Sequence, residues 1–167
     1  MSVDQIIENI IRREGGFVDH PHDRGGPTNF GITLPTLRRF RGVDVDRTDV
    51  ERLTEEQATE IYRKLYVEDP RFDLIQDELV QEMVVDAGVH HGTGTAARWL
   101  QRAVGVDEDG KVGPVTLQAV NEAWQQDEMV RRFTAYRVQF MGQLITRDHT
   151  QAPFAHGWLK RATEFLV

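Results

Sequence analysis

One helical period runs through most of this chain, and the place where it fails constrains the fold most. Val3, Ile6, Ile7, Ile10 and Ile11 fall at i, i+3, i+4, i+7 and i+8, a single apolar stripe. Ser2 stands at the cap position with Gln5 three residues on, the spacing of a capping box. The pattern predicts a helix over 2–13, with Glu14 in its last turn and Gly15-Gly16 as the stop. The next seventeen residues, 17–33, mix aromatics, prolines, acids and glycines with no helical period. Gly25-Gly26-Pro27 reads as a turn, and Phe30 and Ile32 alternate with polar neighbours, so a short irregular hairpin is expected there.

After Thr33 the period returns. Thr33 is expected to cap a short helix carrying Leu34, Leu37 and Phe40, closed by Gly42, and the acidic stretch 43–49 reads as a loop. Thr54 and Gln57 form a second capping box, opening a helix with Ala58, Ile61, Tyr62, Leu65 and Tyr66 on one side, ended by Asp69-Pro70. Residues 79–87 are the most apolar helical run and read as the central helix, followed by a tight connection from Gly88 to Gly92. Thr95 to Val104 is a further helix, then a polar turn over 107–113. Pro114 stands at the first position of a helix, ahead of Val115, Leu117, Val120 and Trp124. Asp127 is expected to cap a long helix, and a last one from about 154 to 166 to bury Trp158, Leu159, Ala162 and Phe165. The fold class is mainly α, with one small β element near the N-terminus.

At 167 residues the chain suits one domain or two small lobes. It holds no cysteine, which removes disulfides, thiolate chemistry and thiolate metal sites. No apolar stretch approaches the roughly 20 residues a bilayer span needs, and the N-terminus lacks a basic, apolar leader, so no membrane insertion is expected. The net charge of −7 argues against nucleic acid as a partner. The short basic run Arg38-Arg39-Phe40-Arg41 reads as the solvated side of a helix.

The break at Gly15-Gly16 also holds the residues best suited to chemistry. Glycoside cleavage needs an acid for the leaving oxygen and a second carboxylate or a positioned water for the developing cation. Glu14 fits the acid, since the apolar helix face beneath it would favour its protonated form. Asp23 follows nine residues later in a polar loop suited to an ionised carboxylate, and Thr28 five residues after that adds a hydroxyl. Asp19 competes with Asp23 as the second carboxylate. The plain alternative is that Glu14 is a helix-end residue paired with Arg12 or Arg24. His20, His22, His90 and His91 could invite zinc, but no His-Glu-x-x-His occurs and no metal is expected. Asp107-Glu108-Asp109-Gly110 lacks the glycine register of a calcium loop. Trp99, Trp124 and Trp158 stand at helical spacing, which favours core positions over sugar stacking.

Glu14-Gly15-Gly16-Phe17, then Pro21, Asp23, Gly25-Gly26, Thr28 and Gly31-Ile32-Thr33, resembles the signature of glycoside hydrolase family 108, the N-acetylmuramidases of phage endolysins and secretion-linked muramidases. The Glu-Asp-Thr order is also similar to the phage-type lysozyme triad, there with one more residue before the threonine. Asp86-Ala87-Gly88, Leu100-Gln101, Asp109-Gly110, Gly113-Pro114, Thr116 and Gly157-Trp158-Leu159 resemble the peptidoglycan-binding segment of the same family, which usually has Asn where Asp86 stands. The resemblance implies a single lysozyme-like domain over 1–167, with a small hairpin lobe and a larger helical lobe flanking a cleft. Residues 1–85 form the catalytic half and 86–167 the peptidoglycan-binding half. It implies a lysozyme-type muramidase of the phage or prophage endolysin kind, with Glu14, Asp23 and Thr28 catalytic. Asp19, Asn29, Tyr62, Asp86 and His90 are candidates for holding the glycan strand. No cofactor and a monomeric state are expected, as is synthesis in the cytoplasm followed by release or export to the wall. Two other readings stay open, a lytic transglycosylase and a catalytically silent peptidoglycan-binding module.

Overall fold

The computed structural model describes residues 1–18 and 26–166, and these cluster into two units, Met1–Asp69 and Pro70–Val167. In the first unit α1 spans Val3–Glu14. Both halves of its capping box form, with the Gln5 N–H donating to Ser2 Oγ and the Ser2 N–H to Gln5 Oε1. Ile6, Ile7, Ile10 and Ile11 are all buried, as the period requires. Gly15 closes the helix at φ 76°, its N–H donating to the Ile11 carbonyl at 3.1 Å. Glu14 is thus the last residue of an element whose other face is locked into the core.

The hairpin is smaller than the stretch that encodes it. Strands β1 (Thr28–Asn29) and β2 (Ile32–Thr33) pair antiparallel, Thr28 opposite Thr33 and Asn29 opposite Ile32. Val18 extends the ladder by one bridge, exchanging two 2.8 Å hydrogen bonds with Thr28. The two-residue connection has positive φ at both places, 52° at Phe30 and 75° at Gly31, the twist of a type I′ turn. Glycine tolerates that region freely; phenylalanine does not, so Phe30 must be held there from outside.

Helix α2 (Leu34–Arg41) is capped by Thr33 and ended by Gly42 as expected. The acidic stretch read as a loop is partly helical: α3 covers Arg47–Glu51, with Asp46 and Asp49 forming a capping box. Its acids look like loop residues in sequence because they serve as the cap, and its single buried residue, Val50, leaves no period to detect. Helix α4 (Glu55–Tyr62) keeps the Thr54–Gln57 box and then widens into a π-helical segment over Arg63–Glu68, marked by the Asp69 N–H donating to the Lys64 carbonyl. The extra residue per turn rotates the inward stripe, so Leu65 and Val67 are buried while Tyr66 is only partly covered. Arg63 pairs with Asp4, tying this segment to α1.

In the second unit α5 spans Glu78–His91, capped by Asp77, and α6 spans Thr93–Val104. The connection expected from Gly88 to Gly92 is a correction: α5 runs straight through Gly88, and only Gly92 interrupts. A Cβ on Gly88 would lie 3.2 Å from the Phe72 ring, so this glycine makes room for a neighbour instead of breaking the helix. The polar turn after α6 is built on buried Gln101. Its Nε2 donates to Asp109 Oδ1, the Lys111 carbonyl and Thr116 Oγ1, and its Oε1 accepts from the Gly110 N–H. Helix α7 (Pro114–Asn121) starts at its proline, and α8 (Gln126–Arg147) is the longest helix described. Asp127 lies in the first turn of α8 and Gln125 at its cap, two residues before the expected position. Helix α9 (Ala155–Thr163) is flanked by 3-10 segments, His149–Phe154 and Glu164–Leu166. Ala162 and Phe165 are buried and Trp158, on the same i, i+4, i+7 stripe, is half-buried, whereas Leu159 is exposed against expectation because it lies beside that stripe.

Trp124 departs furthest from expectation. It lies beyond the end of α7, where helical spacing no longer sets direction, and is 88% exposed.

Candidate active site

Glu14 sits half-buried at the end of α1, and two other elements close around its stem. A Cβ built on Gly31 would meet Tyr62 Oη at 2.7 Å, Glu14 Cγ at 2.8 Å and Glu14 Cβ at 2.9 Å. The hairpin turn therefore rests directly against the glutamate, and only a glycine permits that approach. Tyr62, 2% exposed at the end of α4, donates its hydroxyl proton to the Phe30 carbonyl at 2.9 Å. That bond holds the strained turn residue and fixes Gly31 beside it. Three elements far apart in sequence thus set the direction of one carboxylate stem. Beside the turn, Phe30, Gly15, Gly16, Glu8, Arg12 and Glu55 line a recess of about 390 Å³.

The other candidates divide. Thr28 is half-buried in β1 opposite Thr33, its backbone N–H and C=O both bonded to Val18. Asp23 and Asp19 lie outside the described residues, as do His20 and His22. Asn29 is 5% exposed and its amide donates to the carbonyls of Val50, Glu51 and Leu53, at 3.1, 3.1 and 3.3 Å. It satisfies the end of α3 and pins the hairpin to it, a structural bracket whose amide already has its acceptors. Tyr62 acts through the turn it holds.

Asp86 and His90 belong to a cluster in the second unit. Asp86, 2% exposed, pairs through Oδ2 with Arg137 Nη2 and through Oδ1 with Arg161 Nε, each at 2.8 Å. This one carboxylate links α5 to α8 and α9, and an asparagine there would set no charge against the two guanidinium groups. The His90 ring packs edge-on against Trp158, and the His91 ring against Trp99 and Phe140. Burial, reinforced by Arg161 and Arg137, pushes His90 down to about 4. Burial, with His90 and the same arginines behind it, pushes His91 down to about 3. Both rings are neutral near neutral pH. No group of three or more His, Asp or Glu side chains placed to hold a metal occurs among the described residues.

A mainly helical chain with a two-stranded sheet, and a glutamate at the end of its first helix facing the hairpin turn, has the architecture of a lysozyme-like glycosidase. The family Glycosyl hydrolase 108 matches residues 7–92, and the chain belongs to glycoside hydrolase family 108. A second family, described as a predicted peptidoglycan domain, matches residues 95–163. The solved structure of Brucella abortus SagA is similar at 34% identity, over 97% of this chain and 90% of that one, with a TM-score of 0.84. No curated protein matches. The chain is accordingly a glycoside hydrolase that acts on peptidoglycan.

Gly31 as the neighbour of Glu14 is what sequence reasoning missed. The signal was present, because a glycine after Asn29-Phe30 between two apolar-alternating pairs marks a two-residue hairpin, but its contact with α1 is non-local.

Proposed function

We propose that this protein is an N-acetylmuramidase, hydrolysing the β-1,4 bond between N-acetylmuramic acid and N-acetylglucosamine. The observation that carries this reading is Glu14, fixed at the end of a core-anchored helix by Gly31 and Tyr62, within the region matched by the glycosidase family. In this mechanism the Glu14 carboxylic acid donates its proton to the glycosidic oxygen as the bond to the anomeric carbon breaks. Water adds to that carbon and loses a proton to a second carboxylate. Asp23 is the first choice for that carboxylate and Asp19 its competitor, with the Thr28 hydroxyl orienting the water. The similarity to the phage-type Glu-Asp-Thr order supports an endolysin role, in which the enzyme is made in the cytoplasm and reaches the wall on release or export. The protein acts as a monomer.

Purified sacculi digested by the wild-type chain and by Glu14→Gln test this directly. Wild-type products should end in reducing N-acetylmuramic acid, and Glu14→Gln should keep its melting behaviour while losing about 10²–10⁴-fold in turnover. Anhydro-muropeptides in the mass spectrum would replace hydrolysis with transglycosylation. A folded Glu14→Gln variant with near-normal turnover would remove Glu14 from the chemistry.

A further inference from the structure

Trp124 lies between α7 and α8, almost wholly in solvent. Around it Gln125, Gln126, Asp127, Glu128 and Arg131 line a depression of about 440 Å³. Asp127 and Arg131 also line a second depression of about 260 Å³, floored by Val130 and Phe165 and edged by Leu79 and Leu166. The two share Asp127 and Arg131, so they adjoin along the start of α8. Glu128 is bonded to Arg132, whereas Asp127 and Arg131 form no ion pair among the described residues.

The rim decides what such a surface accommodates. An apolar protein anchor or an acyl chain needs an apolar surround, and here the indole's neighbours are two primary amides, two carboxylates and a guanidinium. A nucleic acid or an anionic headgroup would meet Asp127 and Glu128. A pyranose matches on both counts. Its C–H face covers an indole, and its hydroxyls and N-acetyl amide exchange hydrogen bonds with planar amide, carboxylate and guanidinium groups. Adjoining depressions suit consecutive rings of a polymer. We propose that Trp124 and the Gln125–Arg131 surface form a glycan subsite that grips the sugar backbone of a peptidoglycan strand, N-acetylglucosamine stacking on the indole. The proposal rests on the peptidoglycan reading above and lies within the region matched by the peptidoglycan domain.

The test uses the full chain carrying Glu14→Gln, so that the probe is not consumed. It is titrated with an N-acetylglucosamine tetramer and with glycan strands stripped of stem peptides, following tryptophan emission and sedimentation. A saturable emission change is expected. Adding Trp124→Ala should abolish most of that change and weaken binding about ten-fold, with the unfolding midpoint unmoved because the side chain covers no core. Unchanged affinity in the Trp124→Ala chain would overturn the proposal, as would an emission change that survives the substitution. Binding to whole sacculi but not to peptide-free glycan would overturn the sugar as occupant. A shift in oligomeric state on Trp124→Ala would reassign the surface to contact between copies. Failure of the muramidase reading would show separately, as wild-type chain that releases no reducing muramic acid ends while the Glu14→Gln titration still saturates.

Discussion

Gly31 carries two separate constraints, and they can be pulled apart by substitution. Its φ of 75° strains any L side chain, and its α-carbon faces Glu14 and Tyr62 too closely for a methyl group. Gly105, in the second unit, has the same kind of backbone (φ 77°) with nothing within 4 Å of a built Cβ. Both Gly31→Ala and Gly105→Ala should lose about 1–2 kcal/mol from the left-handed conformation. Only Gly31→Ala must also displace the Glu14 stem, so its turnover of sacculi should fall more than ten-fold while Gly105→Ala keeps wild-type rates. Equal activity in the two folded variants would show that the Gly31 contact does not aim the carboxylate. Tyr62→Phe tests the same assembly from the other side. It leaves the ring packed but removes the donor to the Phe30 carbonyl, costing about 1 kcal/mol in stability. Turnover should drop by less than in Gly31→Ala, because the turn is loosened without being pushed.

At the scale of elements, what could be read from the sequence was what is encoded within four residues. The Ser2–Gln5 and Thr54–Gln57 boxes, the glycine stop after Glu14 and the proline start of α7 all join near neighbours, and all are found in place. What stayed hidden has a common cause. Gly88 makes room for Phe72, Asp86 pairs with Arg137 and Arg161, the Asn29 amide bonds carbonyls at the end of α3, and no local pattern reveals such partners. Helix α3 was hidden because its caps are the same acids that mark a loop. The candidate acid was legible because it ends a periodic helix, whereas the groups that hold it lie on β2's turn and α4. The last turn of α5 yields a pH prediction of its own. His90 and His91 are held down to about 4 and about 3 when folded, against 6.5 in an open chain. Between about pH 6.5 and 4 the unfolded chain therefore binds more protons than the folded one, and stability must fall as the pH falls through that window. Melting midpoints followed from pH 7 to pH 4 should decline, and His91→Gln should flatten part of that slope. An identical pH profile in the variant would mean that other groups govern acid sensitivity.

At the scale of the whole molecule, charge works against the substrate. The chain carries 27 acidic and 20 basic residues, a net −7, and peptidoglycan with its stem peptides is itself anionic. Repulsion of this kind reaches about 30 Å at 0.01 M salt and about 8 Å at 0.15 M. A cationic wall enzyme loses its long-range attraction when salt is added, whereas this one should lose a long-range penalty. Wall turnover should therefore hold steady or rise between those two salt concentrations. The obvious local exception is weak: on α2, Arg38 and Arg39 already donate to the Val45 and Leu65 carbonyls, and Arg39 lies over the Tyr66 ring. Both keep their charge, but their hydrogen bonds are partly committed within the fold, which limits the direct contacts they can offer an anion. Turbidity clearing of sacculi across a salt series decides the matter. A steep fall with salt would mean that a basic patch governs encounter, and charge reversal at Arg38, Arg39 and Arg41 would then identify it. A flat or rising profile would leave short-range contacts, aromatic stacking and hydrogen bonds that salt does not screen, as the means by which this acidic protein holds an acidic polymer.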